Sequence, residues 1–529
     1  MFGRALLHLR PLTMKPISIF NDVLGPVMRG PSSSHTAGSY HIGRLARSLF
    51  GEQPRRVIFT FDPSGSYAEV YREQNSDRAF AAAFLDWSIT DGRFLDALTE
   101  ADAAGIELRF TSNPLPGADH PNVVQIRMES RTGRELTIRA RSIGGGAVSI
   151  DQVQGWPVHL SGDAYDLLVE LPASAEDSVR AFLEKAGVLL EELQRESQGE
   201  LVLLHARYAT LLEKDIRLKL SAIQGVCSVW LASPIFFVPR GKALFTSAAE
   251  MTHLAQARAC SLGQAALAYE AELLGLSQAE VLAETLRRYA VMYQAVQRGL
   301  DENLPPMRLL QPTARAIYQA QASGRLAFGG MHSRAAARAM AVMHVNGGAG
   351  VVCAAPTAGS AGTLPGTLVT LAEELSLTDE QIALALLAAS AVGVIIATRA
   401  TFAAEVGGCQ VEIGAAGAMA AAAAVEAAGG SATQAADAAA IAFQNTMGTI
   451  CDPVQGIVEI PCHTRNAVAA ASAFVCADLI MGGYQNPISL DETIDAMYAV
   501  GRMLPRELKC TALGGLAQTP SALKLRRID

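Results

Sequence analysis

EVGGCQVEIG at residues 405–414 and CDPVQGIVEIPCHTR at residues 451–465 hold three cysteines, Cys409, Cys451 and Cys462. Forty-one residues separate the first two and ten the second two. Each sits near a glycine, a proline or an aspartate turn, where the backbone can leave a helix and turn a thiolate inward. Three thiolates gathered by the fold, with no local CxxC, suit an iron–sulfur cluster that keeps one iron open. The plain alternative is three small buried residues in an alanine- and glycine-rich core, since free cysteine is often buried. Zinc is the other metal reading, with His463 as a fourth ligand. The lack of any CxxC or HxxxH pair speaks against it.

Outward from this stretch, residues 243–520 are rich in alanine and glycine and patterned for helices apolar nearly all round. Small residues let such helices approach closely, so a compact all-α domain is expected. The run AAGAMAAAAAVEAAGG at 415–430 reads as a buried helix rather than a linker. Residues 382–398 are the best membrane candidate, but they fall short of a full span and meet Arg399 and Glu405, which favours a buried helix.

The other half reads differently. Residues 14–163 are mixed α/β, with a helix over 39–50, strands over 56–61, 107–111 and 123–128, a helix beginning at 80–85, and a glycine turn SIGGG at 142–146. Residues 164–238 alternate as strand (166–171), helix (175–186), hairpin (188–193 and 200–208), helix (214–223) and strand (226–232). That βαββαβ order is the ferredoxin-like plan. The expected fold class is therefore α+β and multidomain: a mixed α/β domain, a ferredoxin-like middle module and an all-α cluster-binding domain. Residues 1–13 and 521–529 are tails, and Met14 could be the true start.

Length and composition bound the function. A chain of 529 residues holds two to four domains. Half its residues are hydrophobic and 18% are charged, which excludes a disordered chain. A formal net charge of −8 leaves no basic footprint for nucleic acid. Eight cysteines without close pairing indicate a reducing cytoplasm rather than a disulfide scaffold. The opening apolar run is too short for a signal-peptide core, and no membrane role is expected.

Two further stretches carry chemistry. Ser32, Ser33, Ser34, His35 and Thr36 precede a helix, where hydroxyls and free backbone N–H groups form a carboxylate cradle and His35 adds a proton-exchanging group. An N-cap cluster with a surface histidine is the plain alternative. Thr357 and Ser360, in APTAGS, offer hydroxyls near another helix start, for an anion or simply for the turn. Asn346, Gln410, Glu412, Asn445, Asp452, Arg465 and Asn466 are polar residues in an apolar domain and need partners, whether substrate, cluster surroundings or each other.

Set in GCQ-x-E and CDPV-x-G-x-V-x-x-PC-x-x-RN, the three cysteines resemble those of the α domain of the iron–sulfur L-serine dehydratases. The resemblance extends to APTAGSAGTLPG at 355–366 and TALGGLA at 511–517. GPSSSHTAG at 30–38, SIGGG at 142–146 and His120-Pro121-Asn122 resemble motifs of that family's β domain. The resemblance implies a lyase that converts L-serine to pyruvate and ammonia, with a 4Fe–4S cluster on Cys409, Cys451 and Cys462. It implies that the loop of Ser32, Ser33, Ser34, His35 and Thr36 is catalytic, with His35 as the chosen proton acceptor. Thr357, Ser360, Arg465 and Asn466 become substrate contacts, and His120 and Asn122 a small-ligand or regulatory pocket. The middle module resembles an ACT domain, which implies an amino-acid effector or a dimer interface; a homodimer is expected. The family's GHGTD segment is replaced here by Glu73-Gln74-Asn75-Ser76-Asp77, which puts a ligand contact in doubt.

Rival readings stay open at this point. The same chemistry could act on L-threonine or L-cysteine, and the chain could be a non-catalytic amino-acid sensor. A pyridoxal-phosphate lyase needs a Schiff-base lysine, and the chain has none between Lys242 and Lys509.

Overall fold

A computed structural model describes residues 16–187, 193–209, 215–301, 303–304 and 307–528. The expected tail 1–13 and Met14 lie outside the described residues. The chain is α+β, with mixed and antiparallel sheets followed by a helical C-terminal region.

The first large sheet has six strands, ordered Glu107–Ser112, Arg56–Phe61, Val123–Glu129, Glu135–Gly144, Ala147–Val153 and Trp156–Leu160. Only the first two run parallel; the others form an antiparallel meander. Val57, Phe59 and Phe61, or Leu136, Ile138 and Ala140, are buried at every second position. This is the period of a sheet covered on one face. Helices Gly38–Phe50 and Ser76–Phe84 supply the cover. The second begins four residues before the helix expected at 80. Asn75 adopts the left-handed conformation (φ 55°) that asparagine tolerates, and the helix starts immediately after it.

The middle segment runs Tyr165–Pro172, Glu176–Lys185, Gln194–Gln198, Leu201–Tyr208, Ile216–Ser221 and Ser228–Ala232. Its four strands are antiparallel, with Tyr165–Pro172 and Leu201–Tyr208 central. The hairpin strand expected at 188–193 falls almost wholly outside the described residues, which omit 188–192. Among the described residues an exposed, polar strand Gln194–Gln198 pairs with Leu201–Tyr208. Its place is set by backbone pairing to Leu201–Tyr208, which a search for apolar alternation overlooks. The two faces of this sheet serve different cores. Leu167, Val169 and Leu171 meet the helices through Val179, Leu183, Ile216 and Leu220, while Leu168, Leu203 and Trp230 join the core of the first domain.

The helical region centres on Ile413–Ala427, whose residues from Ile413 to Val425 are all buried. Asp379–Arg399 and Ala432–Thr446 are among the helices that enclose it. Asp379–Arg399 is apolar and long enough to cross a membrane, but its residues from Ile382 to Ile396 are nearly all spent on this core. The N-terminal segment also belongs here. Ile19, Phe20, Val23 and Leu24 pack among these helices, and buried Glu270 accepts from Ser18 Oγ and from the Ile19 and Phe20 amides. Val27–Arg29 then pairs antiparallel with Val351–Cys353. The strand hands the chain from one half of the molecule to the other and sets the next residues, the serine-rich loop, at the seam.

Candidate active site

Gly30 lies so close to helix Met331–Gly347 that an added Cβ would sit 2.0 Å from the Asn346 carbonyl oxygen, so only glycine fits. Asn346 Nδ2 donates to the Pro31 carbonyl at 3.0 Å. The loop then turns into a short helical segment, Ser33–Ala37, capped by Ser32 Oγ accepting from the His35 amide at 3.1 Å. Thr36 Oγ1 donates to the Gln74 carbonyl at 2.7 Å, and Ser76 Oγ to the His35 carbonyl at 3.0 Å. The departed segment 73–77 thus braces the loop from behind.

His35 is 2% exposed, against the surface histidine of the plain reading. Its Nε2 lies 3.0 Å from Ser66 Oγ and its Nδ1 3.3 Å from Ser32 Oγ, and Tyr67 meets the ring edge-on. Burial pushes its pKa down to about 3, so the ring is neutral at physiological pH. Across the seam, Glu405 Oε1 approaches His35 Nδ1 at 3.9 Å. Burial raises the Glu405 pKa, while Asn122 and Ser34 facing the carboxyl partly offset this. Burial and the neighbouring Glu405 lift Glu412 to about 7.

The cysteines converge. Cys409 opens a short turn before Ile413–Ala427, Cys451 lies in the loop, and Cys462 opens the helix Cys462–Met481. Cys409 and Cys451 share a small buried cluster, and Cys462 is near enough to Cys409 for each charge to feel the other. Burial pushes the Cys409 thiol up to about 12 and Cys462 higher. Such thiols ionise only with a counter-charge. Arg465 supplies one beside both sulfurs, held by Asp452 Oδ1 at 3.0 Å and the Ile450 carbonyl at 2.9 Å. A buried sulfur set with an adjacent cation fits a metal–sulfur group. His463, the fourth zinc ligand of the alternative reading, instead turns Nδ1 toward His344 Nδ1 at 3.2 Å.

Cys510 forms a disulfide with Cys451, their Cα atoms 4.9 Å apart. The pairing begins in the backbone: the Cys451 amide donates to the Leu508 carbonyl and the Cys510 amide to the Cys451 carbonyl, both at 2.9 Å. The expectation of cysteines without any disulfide is corrected for this pair, and a thiolate at Cys451 requires the bond to be reduced. Glu412 lies with Cys451 and Cys510 in one group whose ligand atoms are all within 4.8 Å of one another. The TALGGLA motif explains itself nearby. Gly515 (φ 61°) sits where a Cβ would be 2.4 Å from Asp452 Oδ2, and that oxygen accepts from the Leu516 amide at 2.8 Å.

A cavity of about 470 Å³ opens at this seam, lined by Ser66, His120, Glu405, Arg506, Lys509 and Cys510 among others. His120 and Asn122 therefore stand at the same place as the loop and the cysteines. His120 Nδ1 accepts from the Asn122 amide at 3.1 Å, and the buried Asn122 side chain faces Glu405. Thr357 and Ser360 are turned to each other at 3.0 Å. Asn466 is fully occupied: it accepts from the Gly362 and Thr363 amides and Thr363 Oγ1, and donates to the Gly359 and Cys462 carbonyls. The reading from sequence did not single out Glu405, Ser66 or Cys510. The only signal for Glu405 was an acid within an otherwise apolar run ahead of Cys409.

Residues 242–517 match the family model described as serine dehydratase alpha chain. The probable L-serine dehydratase alpha chain of Bacillus subtilis is 38% identical over 284 residues, 54% of this chain and 95% of that protein. The L-serine dehydratase alpha chain of Peptoniphilus asaccharolyticus is 38% identical over 238 residues, 45% of this chain and 82% of that one. The probable beta chain of the B. subtilis enzyme is 43% identical over 157 residues, 30% of this chain and 69% of that protein. The chain thus matches, in a single polypeptide, relatives that occur as separate alpha and beta chains, and it belongs to the iron–sulfur L-serine dehydratase family.

Proposed function

We propose that this protein dehydrates and deaminates L-serine to pyruvate and ammonia. The observation that carries the reading is the meeting, in one buried seam, of three cysteine-bearing turns with the Ser32–His35 loop and a solvent-connected cavity. Relatives named L-serine dehydratase point the same way.

Cys409, Cys451 and Cys462 would hold a 4Fe–4S cluster, which when bound supplies an iron able to polarise a hydroxyl as a Lewis acid. The chain's own residues do the rest. Arg506 and Lys509 at the cavity draw in an anionic carboxylate. Ser34 and Asn122, beside Glu405, offer hydrogen bonds to a substrate carboxylate or amine. Thr357 faces Glu412, Ser360 and Asn466 hold the turn behind it, and Arg465 balances the sulfur charge. The Cα proton goes to the His35–Glu405 pair. The aminoacrylate that leaves tautomerises and hydrolyses without further help from the protein.

The finer organisation belongs to the same proposal. Residues 14–163, 164–238 and 243–520 act as β-type, ACT-like and α-type domains, the second taking an amino-acid effector. The protein works as a cytoplasmic homodimer. Calorimetric titration of free amino acids and sedimentation of the purified chain test these two points.

The central test is anaerobic purification, followed by iron and sulfide analysis, a visible spectrum and pyruvate or oxobutyrate formation from L-serine, L-threonine and L-cysteine. Iron-loaded protein that favours L-serine by at least about ten-fold in kcat/KM supports the reading, a discrimination of about 1.4 kcal/mol. Iron-loaded protein without turnover of L-serine overturns it.

A further inference from the structure

Resting on the serine reading, we propose that Glu405 takes the Cα proton and that His35 acts on it as a positioning residue. Three observations place the reaction on the carboxylate. First, Glu405 lines the cavity beside Ser66, whereas His35 stands behind that wall with Ser66 and Ser32 against its two ring nitrogens. Second, Glu405 Oε2 is buried and makes no hydrogen bond of ordinary length and angle among the described residues. Asn122 and Ser34 face the carboxyl but leave Oε2 without a bond of ordinary geometry; an under-bonded acceptor oxygen is what a proton-abstracting group offers, at a cost that a bound substrate would relieve. Third, the short helix Ala404–Gly407 carries Glu405 into the cysteine region and fixes its approach to His35 Nδ1 at 3.9 Å.

The other groups at the cavity are less suited. His120 Nδ1 accepts the Asn122 amide proton, so its neutral ring carries its own proton on Nε2 and donates. Asp119 is exposed and paired with Arg141 at 3.2 Å, and Glu69 is exposed. Glu412 lies back against Cys451 and Cys510.

Glu405 takes the proton from Cα, and the Cα–H electron pair forms the Cα=Cβ double bond. The Cβ–O bond breaks with its electron pair on oxygen. The proton on Glu405 then joins the departing hydroxide as water, which restores the carboxylate. His35, neutral, presents Nδ1–H toward Glu405 and takes the Ser66 hydroxyl on Nε2, which steadies the carboxylate at the cavity wall. The groups facing Glu405 are His35, Ser34, Asn122, Tyr67 and Glu412, with Arg506 and Lys509 across the cavity. The base must be ionised, so turnover falls as pH drops through its raised pKa, in a limb above the usual carboxylate range.

The experiment compares wild type, Glu405→Gln and His35→Gln, all loaded with iron anaerobically, on L-serine deuterated at Cα. Wild-type turnover of L-serine tests the underlying reading by itself. Glu405→Gln is expected to keep its iron and a serine-induced change in the visible spectrum, to lose about 10³-fold in kcat, and to release no deuterium to water. His35→Gln is expected to lose about ten-fold in kcat with little change in KM, to keep deuterium release, and to keep the acid limb at a shifted pH. Glu405→Gln within ten-fold of wild type overturns the assignment, as does loss of the acid limb in His35→Gln. The latter result reads directly even if Glu405→Gln does not fold.

Discussion

Gln74 Nε2 donates to the Gly456 carbonyl at 3.1 Å and joins residues 382 positions apart. The first belongs to the segment that braces the Ser32–His35 loop, the second to the loop between Cys451 and Cys462. Positions of the serine loop and the cysteines are therefore coupled through one buried side chain. Gln74→Ala leaves a buried carbonyl unpaired and should cost about 1–3 kcal/mol. The measurement is the denaturant midpoint, with KM for L-serine rising in parallel. An unchanged midpoint would show that the contact carries no strain between the halves.

Replacing Cys409, Cys451 or Cys462 by alanine should abolish the broad visible absorption and bound iron. Alanine at Cys260, Cys353 or Cys476 should leave both, apart from packing losses up to about 3 kcal/mol. Cys510→Ser should keep its iron. Iron-free protein denatured in air should show the six free thiols before reduction and two more after it, the pair being Cys451 and Cys510. Eight thiols without reductant would mean that this pair stays open.

Asn466 separates a structural from a substrate role. Its alanine variant removes a side-chain partner from two amides, a hydroxyl and two carbonyls at once. The expected loss is on the order of 3 kcal/mol or more, with iron content falling together with the unfolding midpoint. A stable, iron-replete Asn466→Ala with a raised KM would instead return this residue to substrate binding.

Buried histidines set the acid side of the stability profile. Burial lowers His35 to about 3, His41 to about 4 and His344 to about 4. Because these folded pKa values lie below the unfolded value, only the unfolded chain binds the protons as pH drops below about 6.5. Their contribution is complete above that pH and is lost as pH falls toward 4. Each adds a slope of up to about 1.4 kcal/mol per pH unit. Denaturant midpoints should be flat from pH 7 to 8 and fall steeply below 6. His41→Gln, which can still donate to the Gly146 carbonyl, should flatten the fall by about one proton.

The sequence by itself determined most of the elements and the family motifs they carry. The strand Arg56–Phe61 and the helix ending at Phe50 were legible because alternation of period two and a 3.6-residue stripe are local consequences of one-sided burial. While the meeting of their turns is a property of the fold, the three cysteines were legible because their flanking motifs resemble one family. Gln194–Gln198 was not, since an edge strand held by backbone pairing has no apolar signature. Only the tertiary structure put Glu405 against His35, Cys510 against Cys451, and His120 at the same cavity as the loop. Those meetings join residues tens to hundreds of positions apart. They depend on how Val27–Arg29 pairs with Val351–Cys353 and how tightly Gly30 seats on Asn346, distances that no pattern along a single chain encodes.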